Sequence, residues 1–256
     1  MLLNAVLGLL AATTAFASPI DSTAHHVKRV NSSSPDPTAL IAQVRAADSA
    51  AQRNQILAQN GGNSSFVFDF AHPPAAAVIS NSAGTLIAAT GTSFPALTDI
   101  DAAMGLVTIQ PCGLILPHIH PRADEFIIVT EGQILTQFIA ETGAALVTNE
   151  LNTLGATLFP KGSIHFEYNN ECSPAAFVAA FNSNDPGVSF VAANLFSLED
   201  QVVIASLGGD AVISGAELAS IRHALPAGLA TLVQQCTTKC GIKTMPKRSL
   251  KEAFGQ

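Results

Sequence analysis

The spacing of apolar positions divides the chain into three stretches. Over residues 36–59, Leu40, Ile41, Val44, Ala47 and Ala51 fall at helical spacing. Asp36-Pro37 suits a helix start, with aspartate as cap and proline in the first helical position. Asn60-Gly61-Gly62 suits its end. One N-terminal helix is expected. From Ser65 to about Val203 the pattern changes to short apolar runs separated by clusters of Gly, Pro, Asn and Asp. The runs read SFVFDF, TLIAAT, GLVTIQ, EFIIVTEG, ILTQFIA, ALVTNEL, ATLFPKG, IHFEYN, AAFVAAFNS and VSFVAANLF. Strands that short, with turns that frequent, predict an all-β sandwich or barrel. No internal repeat divides the runs, so one barrel is expected.

After Asp210 the helical period returns. Ser214 and Glu217 have capping-box spacing. Leu218, Ile221, Leu225, Leu229, Leu232 and Val233 then predict two short helices broken at Pro226. The tail, residues 243–256, is basic through Lys247, Arg248 and Lys251.

The ends change the picture from a barrel to an exported barrel. Residues 1–17 are apolar and close on Ala15-Phe16-Ala17, a small-x-small cleavage pattern, and read as a signal peptide. The run is short for a membrane span, and no later segment reads as one. Residues 18–35 are polar and rich in Ser and Pro, as in a flexible leader. Lys28-Arg29 within them reads equally as a processing site or as two solvated charges. Asn31 and Asn63 each begin an Asn-x-Ser triplet, the acceptor pattern for N-glycosylation. A secreted, extracellular or cell-wall protein is expected.

Composition supports a packed core, with 48% hydrophobic and 12% charged residues. The net charge of −7 sets the surface against phosphate backbones and excludes nucleic acid as a partner. Four cysteines, Cys112, Cys172, Cys236 and Cys240, fit disulfides in an oxidising compartment. Cys112–Cys172 is the natural bridge if their segments are neighbouring strands. Cys236–Cys240 can close locally, and a disulfide there is preferred to a metal clip because no histidine stands near. Sequence alone leaves the connectivity open.

The chemistry concentrates in two segments. In Pro117-His118-Ile119-His120-Pro121-Arg122-Ala123-Asp124-Glu125, the two histidines are two residues apart and share one face of a strand. Pro121-Arg122-Ala123 breaks that strand, so Glu125 can return to the same face from the next one. Pro160-Lys161-Gly162-Ser163-Ile164-His165 supplies a third histidine on a separate strand. Three of the seven histidines in the chain fall in these segments. Three imidazoles and one carboxylate suit manganese, iron, copper or zinc better than calcium or magnesium. They leave coordination positions open for water or substrate.

These two segments resemble the paired motifs of germins and germin-like proteins, members of the cupin superfamily. The first motif, G-x5-H-x-H-x4-E-x6-G, is matched by His118, His120, Glu125 and Gly132, with Cys112 in the leading glycine position. The second, ending P-x-G-x2-H-x3-N, is matched by Pro160, Gly162, His165 and Asn169, with Leu154 at its opening glycine and Gly155 next to it. Phe94-Pro95, Asn184-Asp185-Pro186-Gly187 and Asn194-Leu195-Phe196 resemble further germin stretches. The likeness spans roughly residues 36–235 and is strongest to the spherulin type of fungi and slime moulds. It implies a jelly-roll β-barrel over residues 36–242, an N-terminal helix, and C-terminal helices that clasp a neighbour in a dimer or hexamer. It also implies manganese held by His118, His120, Glu125 and His165.

Germin-like proteins include superoxide dismutases and oxalate oxidases, and the neighbouring residues separate the two. Oxalate-oxidising germins carry an asparagine three residues before the first histidine. Ile115 stands there, between Leu114 and Leu116, and cannot hydrogen-bond a carboxylate. Superoxide dismutation is therefore the expected reaction on a small-molecule substrate. The alternatives are a non-catalytic extracellular metal protein and a small-molecule binder. Glu167 shares the His165 face on an ideal strand and is a candidate partner of the site, although a bulge would leave it facing solvent, and that reading is favoured. Asn169 reads as a strand-end hydrogen bonder, and Arg122 as a partner for Asp124, for a neighbouring chain or for small anions.

Overall fold

The computed structural model describes residues 37–243 except 211, 227 and 232. The expected signal peptide, the leader with Lys28, Arg29 and Asn31, the cap Asp36, Leu232 and the tail from 244 lie outside the described residues.

Two antiparallel sheets face each other as a jelly roll. The first contains β1 (Val78–Asn81), β2 (Gly84–Ala89), β3 (Ala103–Ile109), β10 (Ala175–Phe181), β5 (Glu125–Glu131) and β8 (Ala156–Phe159), paired in that order. The second runs β11 (Ser189–Phe190), β4 (Leu114–Ile119), β9 (Ile164–Tyr168), β6 (Gln133–Ile139) and β7 (Val147–Asn152), with β12 (Leu229–Ala230) also on β4. Alternation along the strands builds the interior. On β5, Glu125, Ile127 and Val129 are buried, while Phe126 and Ile128 between them are exposed. Val107, Ile109, Phe159 and Phe177 join Ile127 and Val129 in the main core. Gly132 crosses from β5 to β6 with φ of 73°, a conformation that favours glycine, and a Cβ there would press on Ala175.

The N-terminal helix and two of the expected strands differ from expectation. The N-terminal helix is two, α1 (Pro37–Arg45) and α2 (Ala50–Gly61). Ser49 takes an extended conformation between them, and its side chain accepts the Gln52 amide, starting a new helix in mid-pattern. The SFVFDF run is a 3-10 turn followed by irregular backbone, with Phe68 packed on Phe70 and Phe94 rather than paired in a sheet. VSFVAANLF contributes only β11 before turning into α3 (Val191–Leu195).

Two further helices form a small satellite core. α4 (Asp200–Ser206) and α5 (Gly215–Ala224) meet through Val203, Ile204, Ile213 and Leu218. Ser214 and Glu217 make the expected capping box. Leu218 is fully buried against its own chain. The helix expected after Pro226 does not start at Leu229. That residue pairs with Ile115 of β4 instead, and α6 (Gln234–Lys239) follows.

The disulfides also differ from the preferred pairing. They join Cys112 to Cys236 and Cys172 to Cys240. The expected neighbourhood exists, because the Cys112 amide donates to the Glu171 carbonyl. Yet α6 lies over that corner with Cys236 and Cys240 one helical turn apart, so each takes a different strand-end cysteine. Lys239 reaches Glu171 at 3.1 Å from the same helix.

Candidate metal centre

The second sheet and strand β5 of the first bring the four expected groups together. His118 on β4 lies directly across from His165 on β9, with ring centroids 4.2 Å apart. The register of this strand pair slips by one residue between Ile115 and His118, a bulge on β4 at Leu116-Pro117. Proline has no amide to give a ladder, so the slip falls where pairing is weakest. It lets Ile115 and His118 both face inward, although strict alternation would oppose them. His120 follows two residues later on the same face. Glu125 arrives inward at the start of β5 beside the buried Ile127.

One ligand atom from each of His118, His120, Glu125 and His165 lies within 4.8 Å of all the others, and all four residues are buried. The Glu125 Oε2 is 3.0 Å from His165 Nε2 and 3.1 Å from His120 Nε2. Each imidazole is oriented from its far side. His118 Nδ1 donates to the Leu116 carbonyl at 2.9 Å, His165 Nδ1 to the Ser163 carbonyl at 2.9 Å, and His120 Nδ1 to the Gly187 carbonyl. A carbonyl can only accept, so each Nδ1 carries the proton and each Nε2 keeps its lone pair for the centre. Gly187 has φ of 68°, and a Cβ there would strike Arg122. This donor set, buried and pre-oriented, suits a divalent metal.

Electrostatics agree with that reading. Burial pushes the His118 imidazole down to about 3, and the His165 ring adds to the effect. Burial alone would raise the Glu125 carboxyl, but the His120 and His165 rings beside it outweigh burial and hold the group ionised, near 2. Aromatic rings wall the cluster. Phe159 stacks on His165 at 4.4 Å and 13°, Phe181 meets His120 edge-on at 4.8 Å, and Phe190 lies 5.9 Å from His118. Each wall residue sits at an element end next to a turn, where strand periodicity says little about facing. Their facing is not legible from the apolar spacing alone.

Glu167 contradicts the favoured solvent-facing reading. It is 1% exposed, and its Oε1 is 3.9 Å from His165 Nε2. The bulge lies on β4 rather than on β9, so β9 keeps its alternation and sends Glu167 inward with His165. Burial, then the Glu125 charge, push its carboxyl well above the ordinary value, with its own backbone amide the one small compensation. Asn169 is a strand-end hydrogen bonder, as read. Its Nδ2 donates to the carbonyls of Ile109, Gln110 and Ser173, and its Oδ1 accepts the Glu171 amide. Arg122 pairs with Asp185 at 2.7 Å rather than with Asp124. Asp124 has a different task. Its oxygens accept the Lys161 amide and the Asn182 side chain, which tie three loops beside Glu125 and lower its carboxyl. Cys112, Cys236 and Cys240 also lie close together, but their sulfurs are bonded in the two disulfides and offer no thiolate.

Comparison with known proteins agrees with the geometry. A family model described as Cupin matches residues 69–210. Spherulin-1B of Physarum polycephalum is 36% identical over 91% of this chain and 86% of its own length. A probable germin-like protein, subfamily 2 member 5, of Arabidopsis thaliana is 41% identical over 44% of this chain and 53% of its own. Among solved structures, an oxalate oxidase in complex with the substrate analogue glycolate superposes with a TM-score of 0.57. It has 21% identity over 65% of this chain and 83% of that one, a likeness of fold.

Proposed function

The chain belongs to the cupin family, in the germin-like group with the spherulins, and from that premise we propose a secreted manganese protein with superoxide dismutase-like oxidoreductase activity. The observation that carries this reading is the convergence of three Nε2 atoms on the Glu125 carboxylate, each imidazole fixed through its other nitrogen. His118, His120, Glu125 and His165 would hold the ion. Manganese bound there would supply the one-electron chemistry that dismutation needs. Glu125 brings one compensating negative charge. The backbone carbonyls keep the imidazoles in one tautomer and one orientation. Phe159, Phe181 and Phe190 exclude bulk water from the imidazoles. Ile115 offers a dicarboxylate no hydrogen bond, and Arg122 is committed to Asp185. The surroundings therefore favour a small monoanion over oxalate.

The test is superoxide turnover by protein loaded with manganese and freed of unbound ions. Turnover well above that of equal free manganese is expected, with its loss in His165→Ala and no oxalate consumption. Stoichiometric manganese without superoxide turnover sinks the dismutase claim. The depth of the centre favours one second reading. The four ligand residues are at most 9% exposed, so the ion can serve as an internal staple of a non-catalytic extracellular protein. In that case metal removal lowers the melting temperature and abolishes no reaction.

Export is supported by the two disulfides, which persist in oxidising compartments, and Asn63 is exposed as a glycan acceptor must be. A homo-oligomer is supported by the outer face of the first sheet, where Met104, Phe126 and Leu158 stand exposed on aligned strands. Light scattering of the purified protein tests it, and a monomer at micromolar concentration would count against it.

A further inference from the structure

Both disulfides and the segment that covers the edge of β4 meet at one corner of the jelly roll. Cys112 and Cys236, bonded to each other, are buried, while Cys172, bonded to Cys240, is exposed. The Cys236 and Cys240 sulfurs, which belong to different disulfides, lie 4.0 Å apart. The Cys240 sulfur is also within 4.8 Å of the Cys112 sulfur. The Cys112 amide donates to the Glu171 carbonyl, so Cys112 and Cys172 are neighbours as well. The four sulfurs are therefore close enough for a second pairing, Cys112 with Cys172 and Cys236 with Cys240. The first pairing ties α6 to the strands twice, and the second ties it nowhere. α6 matters to the metal centre because β12 leads into it. Leu229 and Ala230 pair with Ile115 and Leu114 on β4. Just before them the Gly228 carbonyl accepts the Leu116 amide at 2.9 Å, and the Leu116 carbonyl in turn orients His118. Gly228 has φ of 72° and backs onto Phe190, a wall of the centre, where a Cβ would lie 3.4 Å from the ring.

We infer that this corner is a thiol-operated latch on the metal centre, in which Cys172 is the entry point for a small thiol and Cys240 relays the exchange to the buried Cys112–Cys236 bond. A disulfide exchanges when a thiolate attacks one sulfur and the other leaves as a thiolate. The entering thiolate bonds to the exposed Cys172 sulfur, and the Cys172–Cys240 bond breaks with its electron pair on Cys240. The Cys240 thiolate bonds to Cys236, and Cys112 leaves as a thiolate. Cys112 then bonds to Cys172 and expels the small thiol unchanged. Two disulfides stand before and after, so the thiol is a catalyst and no electrons are gained or lost. In the product α6 is crosslinked only to itself. β12 has lost its covalent anchor, and Gly228 is free to part from Leu116 and loosen the His118 side of the centre. The relay rests on the sulfur geometry alone, and its effect on bound metal rests on the metal-centre reading above.

The experiment treats manganese-loaded full-length protein with reduced glutathione in the absence of oxygen, quenches with acid, alkylates, and maps the disulfides without reduction. Peptides joining Cys236 to Cys240 and Cys112 to Cys172 should appear once the Cys172–Cys240 bond has opened. In Cys172→Ala/Cys240→Ala, which lacks the relay, the Cys112–Cys236 bond should open at least about tenfold more slowly than in wild type. A crosslink that served only as a staple predicts the opposite sign, because its loss loosens the corner and exposes the remaining bond. An equal or faster opening in the variant overturns the relay. Should the variant fail to fold, the wild-type map decides, and glutathione held on Cys172 with no Cys236–Cys240 peptide overturns it as well. Electron paramagnetic resonance follows manganese release to excess chelator in the same samples. Release should be about tenfold faster after exchange, the worth of the lost hydrogen bond at Leu116. Unchanged release from exchanged protein overturns the latch. Absence of manganese binding before treatment overturns the metal-centre reading and the latch together, and the peptide map still decides the relay.

Discussion

Acidifying the metal-free protein tests the centre without assuming any reaction. His118 is buried, and its imidazole is pushed down to about 3, against about 6.5 in an unfolded chain. The folded state therefore binds this proton less readily than the unfolded state. The stability that follows is fully present above about 6.5 and is lost as pH falls toward 3. Between pH 7.5 and 5.0 the loss is RT ln(1 + 10^1.5), about 2 kcal/mol. Glu125 stays ionised through this window, since it titrates near 2, so its attraction to the histidines is constant. For a domain of this size, about 2 kcal/mol lowers Tm by roughly 4–8 °C. The assay is urea unfolding of chelator-treated wild type and His118→Leu at both pH values. The wild type should lose about 2 kcal/mol more than the variant. Manganese at about 100 times its Kd should add about 2.7 kcal/mol at pH 7.5 in wild type alone. An equal loss in both proteins on acidification refutes the placement of a neutral, desolvated His118 at the centre.

Three further outcomes follow from the same geometry. The two disulfides interlock, so opening either one alone frees a loop of about 65 residues, worth about 4 kcal/mol; non-reducing peptide mapping should find Cys112 with Cys236 and Cys172 with Cys240, and Cys112→Ala/Cys236→Ala should lower stability by that amount. Asn169→Ala strips buried partners from three carbonyls and one amide and should cost about 2–4 kcal/mol in urea midpoints. Asp124→Ala releases the loops beside Glu125 and should weaken manganese binding about tenfold by calorimetry, and unchanged affinity would show that Glu125 is held by its strand alone.

The ligand set was legible because its information is local. His118 and His120 obey a two-residue period, and Glu125 follows a proline-marked turn, so two consecutive strands present three groups with no knowledge of the rest of the fold. The disulfides were illegible for the opposite reason. Cys112 and Cys172 do end neighbouring segments, yet their partners are decided by where α6 lands, more than 60 residues further on. Leu229 failed in the same way. Its apolar spacing continues the helical pattern of Leu218 and Ile221, but β4 has an open edge beside it, and pairing there outweighs propensity. Ser49 shows the reverse case, in which one side-chain hydrogen bond divides a helix that periodicity runs through.

Glu167 brings these cases together. The sequence posed the right alternative, inward on a regular strand or outward on a bulged one, and a bulge does exist in that strand pair. It lies on β4, at Pro117, where the missing amide makes irregular pairing cheap. β9 has no such residue between His165 and Glu167 and keeps its alternation. The same irregularity that turns His118 inward beside Ile115 thus leaves Glu167 inward as well, and a second carboxyl stands unpaired next to the first. A fold selecting for stability alone would place an apolar side chain there, since an unpartnered buried carboxyl is among the costlier groups to keep. Its presence next to three oriented imidazoles is a cost that the packing of the barrel alone does not offset.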